Sequence, residues 1–352
     1  MTTQNSYINL LVQLLAIPSM SRSEDTRVSF LQKWLKKEGF TAERMKNNLL
    51  VTGGKDPAEA QILLNSHIDT VVPGEGWLSD PFLPLVKNGT ITGLGSNDAG
   101  ASVVSLIAAY KNMHDLGLAD NMVLVLSAEE EVSGKDGISS VLPRLRSLKF
   151  AIVGEPSGMK AAVAERGLMV VDAVASGKAG HAARNEGVNA IYNAIRDIQK
   201  IRELEFPETS QWLSPPSVTV TMINSGTGHN MIPGKCEFVV DVRSNDIYSN
   251  ERLLQMMTDT CEASLSPRSM RLKSSSLGKG HPVFKVLHDL NLEPYGSPTL
   301  SDMALLDFPS IKIGPGDSAR SHTANEFIYT REIENAIELY TQLLSEIIKL
   351  EL

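Results

Sequence analysis

The sequence predicts an α/β fold in which a mostly parallel sheet carries helices on both faces and a smaller α+β domain is inserted into the chain. Short, continuously apolar segments alternate with helical segments near both ends, as expected for parallel strands buried between helices. The middle of the chain shows a β-α-β-β-α-β order, which is the ferredoxin-like pattern of a small two-layer domain. The length of 352 residues suits two domains, at about 150 residues per domain.

The first part of the larger domain is predicted over residues 1–166. Apolar residues at helical spacing from Ile8 stop at Pro18, and a second helical pattern closes at Gly39. Continuous apolar runs predict strands that are covered on both faces. Helices are expected over residues 8–17, 23–38 and 101–116, and strands over 61–65, 122–127 and 150–153.

The inserted domain is predicted over residues 167–275, and the larger domain resumes over 276–352. In the inserted domain, strands are expected at 168–176, 218–223, 237–243 and 270–274, and helices at 189–204 and 250–265. After the insert, a strand at 310–313 and a long helix from Arg331 restore the α/β pattern. Such nesting is tolerated when the two ends of an insert lie close together.

Composition excludes several classes of protein. The chain has 33 Lys and Arg against 41 Asp and Glu, a net charge of -8, which argues against a nucleic-acid partner. Cys236 and Cys261 have no CxxC spacing and are too few for a disulfide framework. No apolar run approaches the ~18 to 20 residues that span a bilayer, and no signal peptide is recognisable. We therefore expect a cytoplasmic protein with neither a membrane nor a nucleic-acid partner.

A histidine and an aspartate follow the first predicted strand. His67 can bind Zn²⁺ or a similar ion through one ring nitrogen, while Asp69 accepts a hydrogen bond from the other. Taken alone, this short motif favours a plain hydrogen-bonded pair without a metal.

Further acids and a second histidine also lie in loops next to predicted strands and helices. They are Asp98 before a helix, Glu129 to Glu131 after strand 122–127, Glu155 after strand 150–153, and His322 behind the glycine-rich turn 314–317. Taken singly, Asp98 can be a helix cap and the glutamates a solvated loop. Taken together, they lie where α/β sheets bind ligands. Mixed imidazole and carboxylate ligation suits Zn²⁺, Co²⁺ or Mn²⁺, and a carboxylate shared by two ions makes a hydrolytic two-metal site.

The ordered motifs resemble those of the M20 di-zinc metallopeptidases and deacylases. They are HIDTV (67–71), GLGSNDAG (93–100), EEEVSG (129–134), GEPS (154–157), GHAAR (180–184) and GPGD with HTANE (314–326). The resemblance covers nearly the whole chain, and is strongest to the branch of acetylornithine deacetylase, succinyl-diaminopimelate desuccinylase and N-acetyl-lysine deacetylase. It implies two divalent ions, with Zn²⁺ expected and Co²⁺ or Mn²⁺ as alternatives.

The resemblance also implies a task for each motif residue. His67 and Glu155 are expected to bind one ion, His322 and Glu131 the other, and Asp98 both. Glu130 is the expected general base and Asp69 the group that orients His67. Glu129 has no assigned task; if the pair were Glu129 and Glu130, both roles would slip by one residue. A cis peptide bond is expected after Asp98.

The inserted domain resembles the lid and dimerisation domain of the same family. The resemblance implies a homodimer in which His181, supplied by the partner subunit, stabilises the developing oxyanion. Asn230 and Arg243 match lid positions that bind substrate. Arg320 and Ser318, which precede His322, can also touch substrate, although no motif argues for it.

The resemblance implies a metal-dependent amidohydrolase that removes an N-acyl group from a small amino acid. The closest match in function is acetylornithine deacetylase, an enzyme of arginine biosynthesis. N-succinyl amino acids, N-acetylcitrulline, N-acetyl-lysine or a dipeptide are alternative substrates for the same chemistry. A noncatalytic metal-binding scaffold on the same fold is the alternative of a different class.

Overall fold

The computed structural model describes residues 3–184 and 186–351 and divides into two units. The first unit comprises residues 1–163, 277–295 and 301–352, and the second comprises residues 164–276 and 296–300. Residues 1, 2 and 352, which the predicted outer segments include, lie outside the described residues. That residues 167–275 form an inserted domain stays a prediction.

The bounds of the elements follow the chain. The helices are α1 Thr3–Leu15, α2 Asp25–Lys37, α3 Ala101–Asp115, α4 Ile138–Val141, α5 Ala190–Arg202, α6 Asn250–Thr260, α7 Val283–Asp289 and α8 Thr330–Ile347. The strands are β1 Glu43–Met45, β2 Asn48–Thr52, β3 Ile62–His67, β4 Leu85–Lys87, β5 Thr90–Thr92, β6 Met122–Ser127, β7 Phe150–Val153, β8 Ala161–Glu165, β9 Met169–Ser176, β10 Gly180–His181, β11 Ser217–Ser225, β12 Met231–Ile232, β13 Lys235–Arg243, β14 Ser264–Pro267, β15 Ser275–Ser276, β16 Pro294–Ser297, β17 Ser310–Lys312 and β18 Phe327–Tyr329.

A mixed sheet with a parallel centre organises the first unit. Its strands run in the order β1-β2-β6-β3-β7-β17-β8. The central strands β6, β3, β7 and β17 are parallel, whereas β1, β2 and β8 add antiparallel edges. His67 pairs with Ser127 across β3 and β6, so these two strands end at the same edge of the sheet. The predicted mostly parallel sheet is confirmed.

Helical segments cover both faces of this sheet. Every residue of β3 and β6 is buried, because successive side chains point to opposite faces and both faces are packed. Leu63, Val123 and Val125 pack with α4 and with Met303 on one face. On the other face α3 contacts β3 and β6 and also packs against α1 and α8. A separate three-stranded sheet, in the order β18-β5-β4, also lies in this unit.

An antiparallel four-stranded sheet organises the second unit. Its order is β11-β13-β9-β14, which is 2-3-1-4 in the sequence of these strands, the ferredoxin-like order. Alternate residues of β9 and β13 are buried, and Phe238 packs with residues of α5 and α6 in one core. The two short strands β10 and β12 form a separate two-stranded antiparallel sheet.

The C-terminal end of the insert differs from the prediction. The expected helix 250–265 ends at Thr260, because Cys261 adopts an extended backbone and Asp197 accepts hydrogen bonds from the N–H groups of Glu262 and Ala263. The last strand is Ser264–Pro267 rather than 270–274, and it pairs with β9. The acceptor that stops the helix lies more than 60 residues away, so helical periodicity alone gives no sign of it.

Among the described residues, no helix combines the length and the apolar character needed to cross a bilayer.

Candidate active site

The site residues predicted from the sequence are carried by loops at one edge of the central sheet. His67 is the last residue of β3, the three glutamates follow β6, Glu155 follows β7, and His322 lies in the segment after β17. Asp98 lies in an irregular turn before α3. Because parallel strands end at the same edge, side chains from distant parts of the sequence meet there.

Asp98 lies between the two histidines. Its Oδ1 is 3.1 Å from Nε2 of His67, and its Oδ2 is 3.6 Å from Nε2 of His322. The peptide bond between Asp98 and Ala99 is cis, as predicted. A carboxylate with one oxygen toward each imidazole has the arrangement of a bridging ligand.

His67 is buried and its two ring nitrogens face different groups. Nε2 faces Asp98 and lies 3.6 Å from Oε1 of Glu155, whereas Nδ1 lies 3.1 Å from the backbone oxygen of Asp69 and 3.5 Å from its Oδ1. Acceptors thus face both nitrogens, but those beside Nδ1 belong to Asp69, outside the predicted ligand set. With a cation at Nε2, the ring proton would lie on Nδ1 and be donated to Asp69.

His322 is half exposed and contacts the third glutamate of the acidic motif. Its Nε2 lies 2.9 Å from Oε2 of Glu131. Oδ2 of Asp98 lies 3.6 Å from the same nitrogen, so Glu131 and Asp98 both lie beside Nε2 of His322. Asp98 and Glu155 lie beside Nε2 of His67 in the same way.

Asp69 holds the backbone of the acidic loop in place. Its Oδ1 accepts the N–H of Glu130 at 3.1 Å, and its Oδ2 accepts the N–H of Glu131 at 3.2 Å and the hydroxyl of Ser21 at 2.7 Å. Asp69 therefore contacts both His67 and the chain that carries the glutamates, which extends the orienting role predicted for it.

Glu129 faces away from the other acids. Its backbone has a φ of +56°, its side chain lies against Gly134, and its Oε2 accepts the N–H of Asp136 at 3.4 Å. The side chain thus closes its own loop. This geometry favours Glu130 and Glu131 as the functional pair over the alternative that is shifted by one residue.

The donor atoms are close enough to hold divalent ions. One ligand atom from each of His67, Asp98 and Glu131 lies within 4.8 Å of the others, and the same is true of His67, Glu130 and Glu155. These two sets share His67 and do not reproduce the predicted division, which pairs Glu131 with His322. The hydrogen bond from His322 to Glu131 is the more direct geometric indication, so we retain that division for the proposal below.

The charges of these groups require compensation. Burial raises the pKa of Glu155 to about 8, with His67 opposing the shift and Asp98 adding to it. Burial also raises the pKa of Glu130 well above its usual range, and Glu155 and Asp302 add to the shift. The Glu131 hydrogen bond raises the pKa of His322 to about 9. Raised pKa values mean that these buried carboxylates ionise readily only when a positive charge lies beside them. Together with the imidazoles they form a donor set that suits divalent cations.

Several residues that support the site escaped the sequence analysis. Buried Glu24, just before α2, accepts the N–H of Glu129 at 3.3 Å, and the buried guanidinium of Arg27 donates to the carbonyl of Ile68 at 2.8 Å. Asp302 accepts the hydroxyl of Ser127 at 2.7 Å behind the end of β6. The only sequence signal was an acid and a base at the start of a predicted helix, which usually serve the helix itself.

Other polar residues considered in the sequence have structural contacts. Arg320 pairs with Glu332 at 2.8 Å and stacks over Phe327, so its guanidinium is engaged within its own segment. His114 packs edge-on against Phe40, and His281 stacks on Phe150. These contacts give both histidines a role in packing.

The predicted lid residues lie in the second unit. His181 is exposed at β10 and its Nδ1 accepts the N–H of Ala183 at 3.2 Å. Asn230 is exposed in the turn before β12. Both terminal oxygens of Asp241 accept hydrogen bonds from Arg243, at 2.8 and 3.0 Å. Binding of a substrate carboxylate by Arg243 therefore competes with this pair.

Imidazoles and carboxylates gathered at the strand ends of an α/β unit are a donor set typical of metallohydrolases. Comparisons with known proteins show which kind of hydrolase this is. Residues 163–268 match the M20 peptidase dimerisation domain. The chain is a hydrolytic enzyme related to the M20 metallopeptidases and deacylases, which confirms the resemblance inferred from the motifs.

Curated relatives carry several substrate names. Acetylornithine deacetylase of Proteus mirabilis is 27% identical over 96% of this chain and 96% of its own length. [LysW]-lysine/[LysW]-ornithine hydrolase of Saccharolobus solfataricus is 29% identical over 96% and 95%. Succinyl-diaminopimelate desuccinylase of Wolbachia pipientis is 26% identical over 76% and 72%.

Solved structures share the fold over the full chain. Aminopeptidase PepT of Bacillus cereus superposes with a TM-score of 0.78 at 20% identity, covering 98% of this chain and 99% of that one. The YxeP protein of Bacillus subtilis, described as a dinuclear metal-binding peptidase of the M20 family, superposes with a TM-score of 0.71 at 15% identity, covering 98% of each chain. These similarities confirm the predicted fold class.

The metal-free protein should lose stability as the pH rises from about 4.5 to about 9. Burial raises the pKa of Glu155 to about 8 and that of Glu326 to about 7, and the Glu131 hydrogen bond raises that of His322 to about 9. Each group binds its proton more tightly in the folded state than in the unfolded state. Its stabilising contribution is therefore complete below the unfolded pKa and lost as the pH passes the folded value.

The melting temperature of chelator-treated protein across this range checks this prediction. The Glu155→Gln variant serves as the control, because an amide does not titrate and the fall with pH should be shallower. A melting temperature that stays constant or increases with pH would contradict the assignment of these raised pKa values.

Proposed function

We propose that the protein is a metal-dependent amidohydrolase that releases a small amino acid, with ornithine as the expected product, from its N-acyl derivative. The observation that carries the proposal is the gathering of His67, Asp98, Glu131, Glu155 and His322, with Glu130 beside His67 and Glu155. Ornithine is favoured because the two relatives that match 96% of the chain both name it. Release from an acetyl group would place the enzyme in arginine biosynthesis.

The residues present fit two divalent ions. We assign His67 and Glu155 to one ion, His322 and Glu131 to the other, and Asp98 to both, because each oxygen of Asp98 faces a different imidazole. Zn²⁺ is the expected metal, with Co²⁺ and Mn²⁺ as alternatives, since neutral imidazole and carboxylate suit all three. Bound divalent ions lower the pKa of water toward neutrality and offset negative charge that develops on a carbonyl oxygen.

Glu130 is the proposed general base. Its carboxyl group shares a cluster with His67 and Glu155, and burial raises its pKa well above the usual range, so it can both accept and return a proton near neutral pH. It takes a proton from the attacking water and delivers it to the nitrogen of the departing amine. Asp69 keeps Glu130 in place by accepting its backbone N–H.

His181 is the proposed donor to the carbonyl oxygen of the substrate. Because its Nδ1 accepts the N–H of Ala183, the neutral ring carries its proton on Nε2, where it can be donated to an oxygen. Asn230 and Arg243 are the proposed contacts to the substrate's polar groups, and a guanidinium is suited to bidentate binding of a carboxylate.

A homodimer through the insert is the proposed assembly. Strand β11 is an edge strand of its sheet, and its side chains Met222 and Ile223 are exposed. Helix α5 adds exposed Tyr192 and Ile195. An uncovered sheet edge and several exposed large apolar side chains are typical of an interaction surface, and residues 163–268 match a dimerisation domain.

Replacing Glu130 with Gln should lower kcat by about 10² to 10⁴-fold, because the amide cannot accept the proton. Metal content and the dissociation constant of the substrate should change little. Glu129→Gln is the matched control, since the Glu129 side chain lies against Gly134 and should leave kcat near the parent value. Steady-state kinetics with metal analysis of both variants decide between them. Loss of activity in Glu129→Gln with an active Glu130→Gln would reverse the assignment.

A panel of N-acetyl and N-succinyl derivatives of ornithine, citrulline, lysine and diaminopimelate, together with dipeptides, tests the substrate. We expect kcat/KM for N-acetylornithine to exceed that of the N-succinyl compounds by at least about tenfold, since that ratio reports discrimination in the transition state. A preference for N-succinyl-diaminopimelate would favour the second candidate, which the succinyl-diaminopimelate desuccinylases among the relatives support. Absence of turnover with the whole panel would reject this substrate class.

Mixing two inactive variants tests the assembly. His181→Ala subunits retain Glu130, whereas Glu130→Gln subunits retain His181. If His181 acts on the partner's active site, each mixed dimer contains one complete site, and a freely exchanged equal mixture should regain about a quarter of the parent activity. No recovery, in a mixture shown to contain mixed dimers, would mean that His181 acts within its own subunit, and an active His181→Ala variant on its own would mean that His181 has no catalytic role.

A further inference from the structure

Glu326 is a buried carboxylate outside the proposed ligand set. It lies just before β18 and is 2% exposed. Its Oε2 accepts the N–H of Gly95 at 2.9 Å, and its Oε1 accepts the N–H groups of Asn97 at 2.7 Å and Asp98 at 2.9 Å. Three backbone donors from one short turn therefore converge on a single carboxylate.

The turn that carries Asp98 requires such an acceptor. Gly95 has a φ of +79°, and a Cβ atom there would lie 2.7 Å from Cγ2 of Thr70, so this tight reversal depends on glycine. The chain is irregular at Asp98 and becomes helical only at Ala101. Because the N–H groups of this turn precede a regular helix and are buried, they need an acceptor supplied by another part of the chain.

Asn97 joins the same two segments at a second point. Its Nδ2 donates to the backbone oxygen of Asp317 at 3.0 Å and to Oγ of Ser321 at 3.2 Å, while its Oδ1 accepts the N–H of Asp317 at 3.0 Å. The turn with Asp98 and the segment with His322 are thus joined by Asn97 on one side and by Glu326 on the other. Between these connections, Oδ2 of Asp98 lies 3.6 Å from Nε2 of His322.

We propose that Glu326 is a positioning residue for the metal ion that Asp98 and His322 share. It fixes the backbone of Asp98 relative to the segment that carries His322, so that the two ligands keep one separation before an ion binds. The inference rests on the ligand set of the proposed function. Ligand-supporting groups of this kind affect metal affinity through the residues they hold rather than by touching the ion.

A carboxylate is suited to this task in a way that an amide is not. Both oxygens of Glu326 accept hydrogen bonds, and one of them accepts two. Glutamine has nearly the same shape, but its NH₂ group would face at least one N–H donor, and two donors cannot satisfy each other. Glu326→Gln therefore disturbs the turn with a minimal change in volume.

Co²⁺ titration of the metal-free full-length protein tests the proposal, with equilibrium dialysis for affinity and visible absorption for the ligand geometry. The Glu326→Gln variant should bind Co²⁺ about 10 to 100-fold more weakly than the parent and show a changed absorption spectrum. Glu326→Asp keeps two acceptor oxygens on a shorter side chain and should recover part of the affinity.

Asp197→Asn is the matched control. Asp197 is 2% exposed and accepts the N–H groups of Glu262 and Ala263 at 3.1 and 2.8 Å, but it belongs to the second unit. It should lower the melting temperature without changing Co²⁺ affinity or the spectrum. Equal losses of affinity in Asp197→Asn and Glu326→Gln would mean a general structural effect and would overturn the proposal.

Parent-like Co²⁺ affinity and spectrum in Glu326→Gln would also overturn it. If Glu326→Gln does not fold, Glu326→Asp decides: weaker binding with an altered spectrum supports the proposal, and parent-like binding overturns it. A parent protein that binds no Co²⁺ would instead remove the ligand set on which the proposed function stands. Two bound ions in both parent and Glu326→Gln, with equal affinity, would leave the proposed function intact and reject only the task of Glu326.

Discussion

Repulsion between buried carboxylates is the physical constraint on which the site depends. Glu130 and Glu155 lie near one another, and burial raises the pKa of both glutamates. Glu155 raises the pKa of Glu130 further, and Asp98 raises that of Glu155 further. The imidazoles oppose this effect, and the pKa of His322 rises in turn because its partners are acidic. Such a cluster stays folded only when protons or cations compensate it. In the proposed two-metal site, bound cations would compensate the same charges.

The loops must be held against this repulsion, and backbone N–H groups do so. Asp69 accepts the N–H groups of Glu130 and Glu131, Glu24 accepts that of Glu129, and Glu326 accepts three from the turn at Asp98. These carboxylates are buried, but each is satisfied by donors of its own. The chain thus uses one set of acids to fix the backbone and another to face the centre of the site, which preorganises the ligands.

The sequence was informative where the physics is local. Continuous apolar runs located β6 and β7 to the residue, and the parallel sheet then placed His67, the glutamates and Glu155 at one edge. Long-range contacts left no such pattern. Glu24 and Arg27 look like ordinary residues at the start of α2, yet they contact chain segments more than 40 residues away. The early end of α6 has the same origin, because Asp197 supplies an acceptor from another helix.

Three consecutive glutamates show how backbone geometry divides chemically identical residues. Glu129 adopts a positive φ, which turns its side chain toward Gly134 and the N–H of Asp136. The next two N–H groups bind the two oxygens of Asp69, which fixes the direction of the chain at Glu130 and Glu131. Composition and spacing assign equal chemistry to all three acids. Glu24 and Asp69 hold the N–H groups of all three residues, which fixes the loop in the conformation that puts Glu130 beside His67 and Glu131 beside His322.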